Sequence, residues 1–346
     1  MRSYVRNVIV LAVAIGLVAL FLRNVDLWHV ANDIVRAKPE WLALSLGTMF
    51  VNLAIRSLRW RYLLEPLGPT SFGNAFKATA VGFAASSLLP ARAGEVIRPY
   101  FLARTAKGAG HMSATGAFAT IILERLLDVL TVVGLLASYV FVFGHDVGRD
   151  NPTAFVGLKW AVATVTAGSA AALVVLFVLA GNPEKLRLFL ERLERILPSA
   201  LAGLIARIAE KFARGLGAIR RPGRLIVALA WSLPLWLSIA AGIWAVAVAF
   251  QIDLSFTGTF LIVALLVIGV TVPTPGAVGG FHAAFRYGVV AFFGASDDAA
   301  VGAAIVLHLF SIGPALLLGL FFAAQEGLNL GGMRRLTNEA EQGHTA

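Results

Sequence analysis

No cysteine occurs among the 346 residues, which excludes disulfides, thiolate nucleophiles and cysteine-ligated metals. Charge is also scarce. Asp, Glu, Lys and Arg make up 14% of the chain, against about 25% in soluble domains. A P-loop lysine motif, a G-x-S-x-G elbow, an H-E-x-x-H pair and a D-x-D metal pair are all missing, and the six histidines are scattered. The usual nucleotide, serine-hydrolase and metal-hydrolase signatures are therefore absent, and neither a cofactor nor a metal is expected. What fills the chain instead is apolar: 58% of residues are AVILMFWYC, 34 more are glycine, and the mean hydropathy is +0.81. A soluble globule of this length has too little interior to hide that much apolar surface, and disorder requires low hydrophobicity. The sequence predicts an all-α, polytopic integral membrane helix bundle.

Runs long enough to cross a bilayer, about 17–25 residues, fall at 5–22, 41–55, 114–143, 155–180, 225–250 and 299–324. The first lacks a small-x-small cleavage site before Arg23 and is read as an uncleaved span. Two further apolar regions, 72–104 and 256–293, are interrupted by Pro and Gly. If each enters and leaves on one side, from opposite faces, the basic residues distribute well. About 21 of the 29 Lys and Arg then lie in the cytoplasm, with five outside and Lys77, Arg125 and Arg286 at membrane depth. Six crossings, two re-entrant hairpins in an inverted repeat and both termini inside satisfy the positive-inside rule. The net charge of +10 is then largely topological, and nucleic acid is not expected as a partner. The chain reads as one membrane domain over 1–330 with a tail over 331–346. Residues 183–221 carry two leucine- and isoleucine-rich helical stripes, such as Leu186, Leu190, Leu193 and Leu197. These fit either amphipathic helices on the inner headgroups or a surface helical hairpin packed on the bundle.

The interrupted segments carry the functional signal, because paired Pro/Gly breaks in corresponding halves point to a transporter's binding site. The first break is Leu89-Pro90-Ala91-Arg92-Ala93-Gly94-Glu95, followed by Arg98; the second is Pro273-Thr274-Pro275-Gly276-Ala277-Val278-Gly279-Gly280, followed by His282 and Arg286. Half-helix N-termini at such breaks offer free N–H groups to an anion, and guanidinium binds phosphate bidentately. Pro90, Gly94, Pro273 and Pro275 are read as the breaks. Arg92, Arg98 and Arg286, with the backbone at Gly276, Gly279 and Gly280, are candidates for a lipid headgroup, or the arginines are inner-face anchors. In the span 114–143, Glu124 and Asp128 share a face and Arg125 reaches Asp128 at i, i+3. One carboxylate remains spare, with the hairpin arginines as its expected partners. Glu95, Glu124, Arg125, Asp128 and His282 are candidates for charge coupling or gating. A structural ion-pair lock, and for His282 a helix–helix hydrogen bond, are the alternatives. Arg56 and Arg59, beside Trp60 and Tyr62, read as an aromatic-and-cation belt at the inner interface.

The G-E-x-x-R after a proline, the E-R-x-x-D at 124–128, the P-x-P-G-x-x-G-G at 273–280 and the stretch Arg56–Arg61 resemble the lysylphosphatidylglycerol synthase transmembrane-region family, also called flippase-like or UPF0104. The resemblance runs across nearly the whole chain. It implies an inner-membrane protein of bacteria that moves a polar or charged lipid, anionic or aminoacylated, between leaflets. In bifunctional members a cytosolic aminoacyltransferase domain follows. Here the sequence stops about 22 residues after its last span, so synthase activity is not expected. Members often carry a carboxylate soon after the Gly-Gly, where this chain has His282, which leaves that position's role open. The expectation is a stand-alone lipid translocase, not an enzyme, with a homo-oligomer or a lipid-biosynthesis enzyme as further partners. A non-transporting scaffold for a lipid or glycolipid enzyme, or a membrane-embedded transferase, is the alternative.

Overall fold

The computed structural model describes residues 26–89, 93–105, 114–143, 222–272 and 274–327, with scattered positions between 156 and 171. Within them the chain is helical throughout its ordered elements: α1 (Leu27–Arg36), α2 (Pro39–Leu64), α3 (Phe72–Leu88), α4 (Gly94–Thr105), α5 (Ala114–Ser138), α6 (Pro222–Ala249), α7 (Thr259–Gly269), α8 (Gly280–Phe293) and α9 (Asp297–Gln325). The starts follow local chemistry. Pro39 opens α2 where its missing N–H costs nothing. The Ser71 and Ser296 hydroxyls accept from the N–H groups of Asn74 and Ala299 to cap α3 and α9.

Among the described residues four helices, Pro39–Leu67, Gly116–Phe143, Gly223–Ala249 and Asp297–Gln325, are long and apolar enough to cross a membrane. The chain is a multi-pass membrane protein. Two other expected crossings, 5–22 and most of 155–180, lie outside the described residues, as do the stripes of 183–221. The run expected to end at residue 55 is corrected: α2 continues to Leu64 and carries Arg56 and Arg59 with it.

Helices α2 and α6 lie antiparallel. The Lys38 N–H donates to the Ala249 carbonyl at one end, and Arg224 reaches the Tyr62 carbonyl at the other. Both interrupted segments fold as helical hairpins, α3–α4 and α7–α8. Their legs touch through glycine: a side chain on Gly94 would collide with the Gly82 carbonyl, and one on Gly280 with the Gly269 carbonyl. Small residues at such crossings let backbones approach where packing, not hydrophobicity, drives association.

Helix α9 shows how the hairpins face each other. Its first residue, Asp297, pairs with Arg286 near the open end of α7–α8. One-third along, His308 bonds the Gly276 carbonyl at that hairpin's tip. Further on, Gly319 packs against Ala80 and Ala84 of α3, and Phe322 meets Phe76 near the open end of α3–α4. The hairpins therefore come from opposite ends of α9. Their tips meet beside its middle, where Gly276 abuts the Ser87 carbonyl.

The interleg glycines make a testable demand. Gly94→Val and Gly280→Val should each destabilise the bundle by about 1–3 kcal/mol through overpacking. Gly134→Ala, which has open space around it, should leave it unchanged. Thermal unfolding followed by tryptophan fluorescence in detergent separates the two cases.

Candidate functional site

Charge buried in an apolar bundle survives only in pairs, so the fate of each ionisable side chain identifies the site. Glu124 and Asp128 sit one turn apart on α5 and are almost fully buried. Arg56 and Arg59, at i, i+3 on α2, are equally buried and face them. Arg59 Nη1 donates to Asp128 Oδ1 at 2.7 Å and to the Ser232 hydroxyl of α6 at 2.6 Å, while its Nη2 lies 3.4 Å from Glu124 Oε1. Arg98 Nη1 of α4 closes on Glu124 Oε2 at 2.7 Å. Arg56 Nη1 is 3.5 Å from Asp128 Oδ2. Arg125 bridges outward, 3.6 Å from both Glu95 Oε1 and Asp128 Oδ2.

Aromatic groups hold this network in place. The Arg98 guanidinium stacks 3.7 Å above the Trp60 ring, a favourable contact for a desolvated cation. The Trp60 indole N–H donates to the Thr120 hydroxyl at 2.9 Å, and that of Trp236 to Asp128 Oδ1 at 3.1 Å. Arg56 lies over the Phe83 ring at 5.5 Å. Four arginines thus meet three carboxylates, Glu95, Glu124 and Asp128, from α2, α4 and α5. The site carries one formal positive charge in excess.

That excess faces a cavity of about 440 Å³ between the hairpin tips. Arg56, Arg98, Arg125 and Glu95 line it together with Ser86, Ser87 and Gly94 of the first hairpin and Thr271, Thr274 and Gly276 of the second. Several guanidinium nitrogens there are buried and make no hydrogen bond: Arg56 Nε and Nη1, Arg98 Nε and Nη2, and Arg125 Nε. A second, largely apolar cavity of about 290 Å³ adjoins the first, sharing Arg56, Phe83, Ser87, Val270, Ala277 and Ile312. It runs between α2, α6, α7 and α9, past Ser45, Asn52 and Ile243.

Of the sequence-derived candidates, the fold gathers Glu95, Arg98, Glu124, Arg125 and Asp128 into one cluster, and Gly94 and Gly276 into the cavity wall. Four, Arg286, Gly279, Gly280 and His282, are placed elsewhere. Arg286 is held by Asp297 at 2.7 Å near the open end of the second hairpin, because the first turn of α9 returns beside it. Gly280 packs against the opposite leg, not toward the cavity. His282 faces His308, ring centroids 4.5 Å apart, with its Nδ1 3.4 Å from the Gly279 N–H. Pro90, Arg92 and Pro273 lie outside the described residues; the backbone at Pro275 forms a short 3-10 turn. The spare carboxylate of α5 does find a hairpin arginine, Arg98.

Arg56 and Arg59 are corrected from interface anchors to the centre of the network. The helix runs on past residue 55, so these side chains enter the bundle before α2 reaches its end. A signal existed: two carboxylates on one helix face, with a single local arginine, require cations from another helix, and R-x-x-R supplies two on one face.

Arg59 should therefore be structural. Arg59→Met leaves two carboxylates buried without their main cation and should cost about 3–5 kcal/mol. Arg59→Met combined with Asp128→Asn should recover part of that loss. Thermal unfolding of the single and double variants, with Asp128→Asn alone as the third corner, measures the recovery.

Similarity to known proteins covers parts of the chain. A UPF0104 membrane protein of Methanocaldococcus jannaschii is 24% identical over 145 residues, 41% of this chain and 41% of that protein. A protein named glycosyltransferase AglD from Haloferax volcanii is 25% identical over 150 residues, 43% of this chain and 23% of its own length. The chain thus matches less than half the length of either relative. The family model described as the lysylphosphatidylglycerol synthase transmembrane region matches residues 7–319, nearly the whole chain, and the chain belongs to that family.

Proposed function

We propose that the protein is a lipid translocase that takes an anionic, phosphate-bearing headgroup into the cavity between the hairpin tips. The observation that carries this reading is the set of buried, unbonded guanidinium nitrogens on Arg56, Arg98 and Arg125 lining that cavity. A buried donor without an acceptor costs about 1–3 kcal/mol, more when charged; an anion with several oxygens removes that cost at Arg56 and Arg98, and gives Arg56 Nη1 and Arg125 Nε, 3.5 and 3.6 Å from their carboxylates, a closer partner. The excess of one positive charge matches a phosphodiester monoanion.

The surroundings support a lipid over a soluble anion. The charged cavity opens into an apolar one through a shared wall, so a headgroup and the start of its hydrocarbon can be accommodated together. The hairpins converge from opposite ends of a helix of membrane-crossing length, which is the arrangement expected of re-entrant segments meeting near the midplane. Glu124 and Asp128 are engaged by arginine and act as counter-charges, which favours binding over acid–base chemistry. When Arg56 or Arg98 turns toward phosphate, its carboxylate retains Arg59, so partners can exchange without leaving a bare charge.

Charge at the two ends supports one orientation. The end near Glu65 and Thr105 gathers Arg61, Lys77, Arg104 and Arg224 against Glu65 and Glu326. The other gathers Asp26, Asp33, Glu40, Asp253, Asp297 and Asp298 against Arg36 and Lys38. The positive-inside rule supports a cytoplasmic first end, and a bacterial inner membrane with both termini inside completes the proposed orientation.

Two measurements test the reading. In liposomes, wild type should accelerate leaflet exchange of fluorescent phosphatidylglycerol, read by dithionite quenching. Arg56→Gln and Arg98→Gln should slow it at least about tenfold, and Arg286→Gln less than about twofold. Wild-type exchange in both cavity variants, correctly folded, would refute the headgroup site. Single cysteines at Pro69 and Asp253, in a chain with no native cysteine, should label with impermeant reagent only from the inside and only from the outside, respectively.

A further inference from the structure

Behind the tip of the second hairpin lies a histidine pair that the headgroup cavity does not use. His282, on the first turn of α8, is 8% exposed. Its ring sits 4.5 Å from that of His308 on α9, and Phe281 packs edge-on against both. Each ring holds a different part of the tip. His308 Nε2 lies 2.7 Å from the Gly276 carbonyl; a carbonyl only accepts, so this nitrogen carries the proton. The Gly279 N–H donates to His282 Nδ1 at 3.4 Å, so that nitrogen is unprotonated and accepting.

The segment between those anchors is strained. Gly276, Ala277 and Gly279 all have positive φ, at 61°, 56° and 92°, and for Ala277 this is the left-handed region that an L side chain seldom occupies. Such backbone persists only where its surroundings fix it. Here the fixing groups are two histidines, the side chains whose charge changes nearest neutral pH. Gly276 and Ala277 also line the charged cavity, and Ala277 lies in the wall that both cavities share. The tip conformation therefore bears on the passage between them.

We infer that His282 and His308 form a binding site for one proton, whose occupancy releases the tip and couples translocation to a proton gradient. A proton arriving at His282 Nδ1 takes the lone pair that the Gly279 N–H uses, and that anchor is lost. The second ring, 4.5 Å away, cannot be charged at the same time, so the pair takes up a single proton. The charged groups on surrounding elements are Arg286 of α8, held by Asp297 of α9, and Arg56 of α2 across the cavity. An anion in the adjoining cavity adds a charge that favours the proton. The coupling half of this inference rests on the translocase reading; the proton site does not.

The test uses the full chain and a variant that keeps the hydrogen bonds but cannot titrate. In His282→Asn the amide oxygen replaces Nδ1 as acceptor, and in His308→Gln the amide nitrogen replaces Nε2 as donor. A nitroxide on Thr271→Cys reports tip mobility in nanodiscs between about pH 8 and pH 3, a range that extends below the ordinary imidazole value because His282 is buried and His308 half-buried. The native histidines should give a single pH-dependent transition, and the double variant none. In liposomes with a pH difference across the membrane, wild type should drive fluorescent phosphatidylglycerol to unequal leaflets, by up to about tenfold per pH unit for one coupled proton. The double variant should equilibrate it evenly. A probe on the native tip that ignores pH, or a transition that survives in the double variant, would overturn the proton site. A native transition with lipid exchange indifferent to the gradient would overturn the coupling. A native transition with no exchange of lipid at all would leave the proton site standing and remove the translocase reading instead.

Discussion

Everything in the bundle depends on how four guanidinium groups and three carboxylates are kept out of lipid. A charge taken from water into a low-dielectric interior costs several kcal/mol even after relaxation, and only close, well-bonded partners return it. Arg59 meets that requirement most fully: two carboxylates and the Ser232 hydroxyl engage it, and it is wholly buried. Because those partners come from α5 and α6, one side chain joins three helices. Arg98 extends the same network to α4. The first hairpin is thereby tied to the α2–α5–α6 core through the start of α4.

The hairpins add a second constraint. A chain that turns back inside an apolar bundle must still satisfy its backbone polar groups. Two near-contacts of glycine on glycine, Gly82 with Gly94 and Gly269 with Gly280, bring the backbones of each pair of legs into contact. At the second tip the Gly276 carbonyl is satisfied by His308 of α9. What cannot close completely is the space between two blunt tips of different sequence. The charged cavity occupies that space, so the site arises from the way the fold solves its own backbone problem.

Much of this was legible in the sequence, at the level where chemistry is local. Length and apolarity predicted 41–55, 114–143, 225–250 and 299–324 as spans, and Pro/Gly interruptions predicted the two hairpins. Glu124 and Asp128, with one local arginine between them, announced a missing cation. What stayed hidden was which cation. Arg56 and Arg59 follow an apolar run beside Trp60 and Tyr62, and that pattern is the same whether a helix is leaving the membrane or entering a polar bundle core. Only the packing of α2 on α5 and α6 decides. Arg286 failed for the opposite reason: its partner, Asp297, lies eleven residues on, across a turn between helices that sequence spacing does not place in contact.

The network's incompleteness is as informative as its pairs. A purely structural lock would gain stability by matching every donor, yet Arg56, Arg59, Arg98 and Arg125 each keep at least one buried nitrogen without a hydrogen bond. What separates them is position and pairing: Arg59 engages two carboxylates and the Ser232 hydroxyl behind the cavity, while Arg56, Arg98 and Arg125 line it. On the translocase reading that division has a use, because Arg59 keeps both carboxylates paired whichever way the cavity arginines turn.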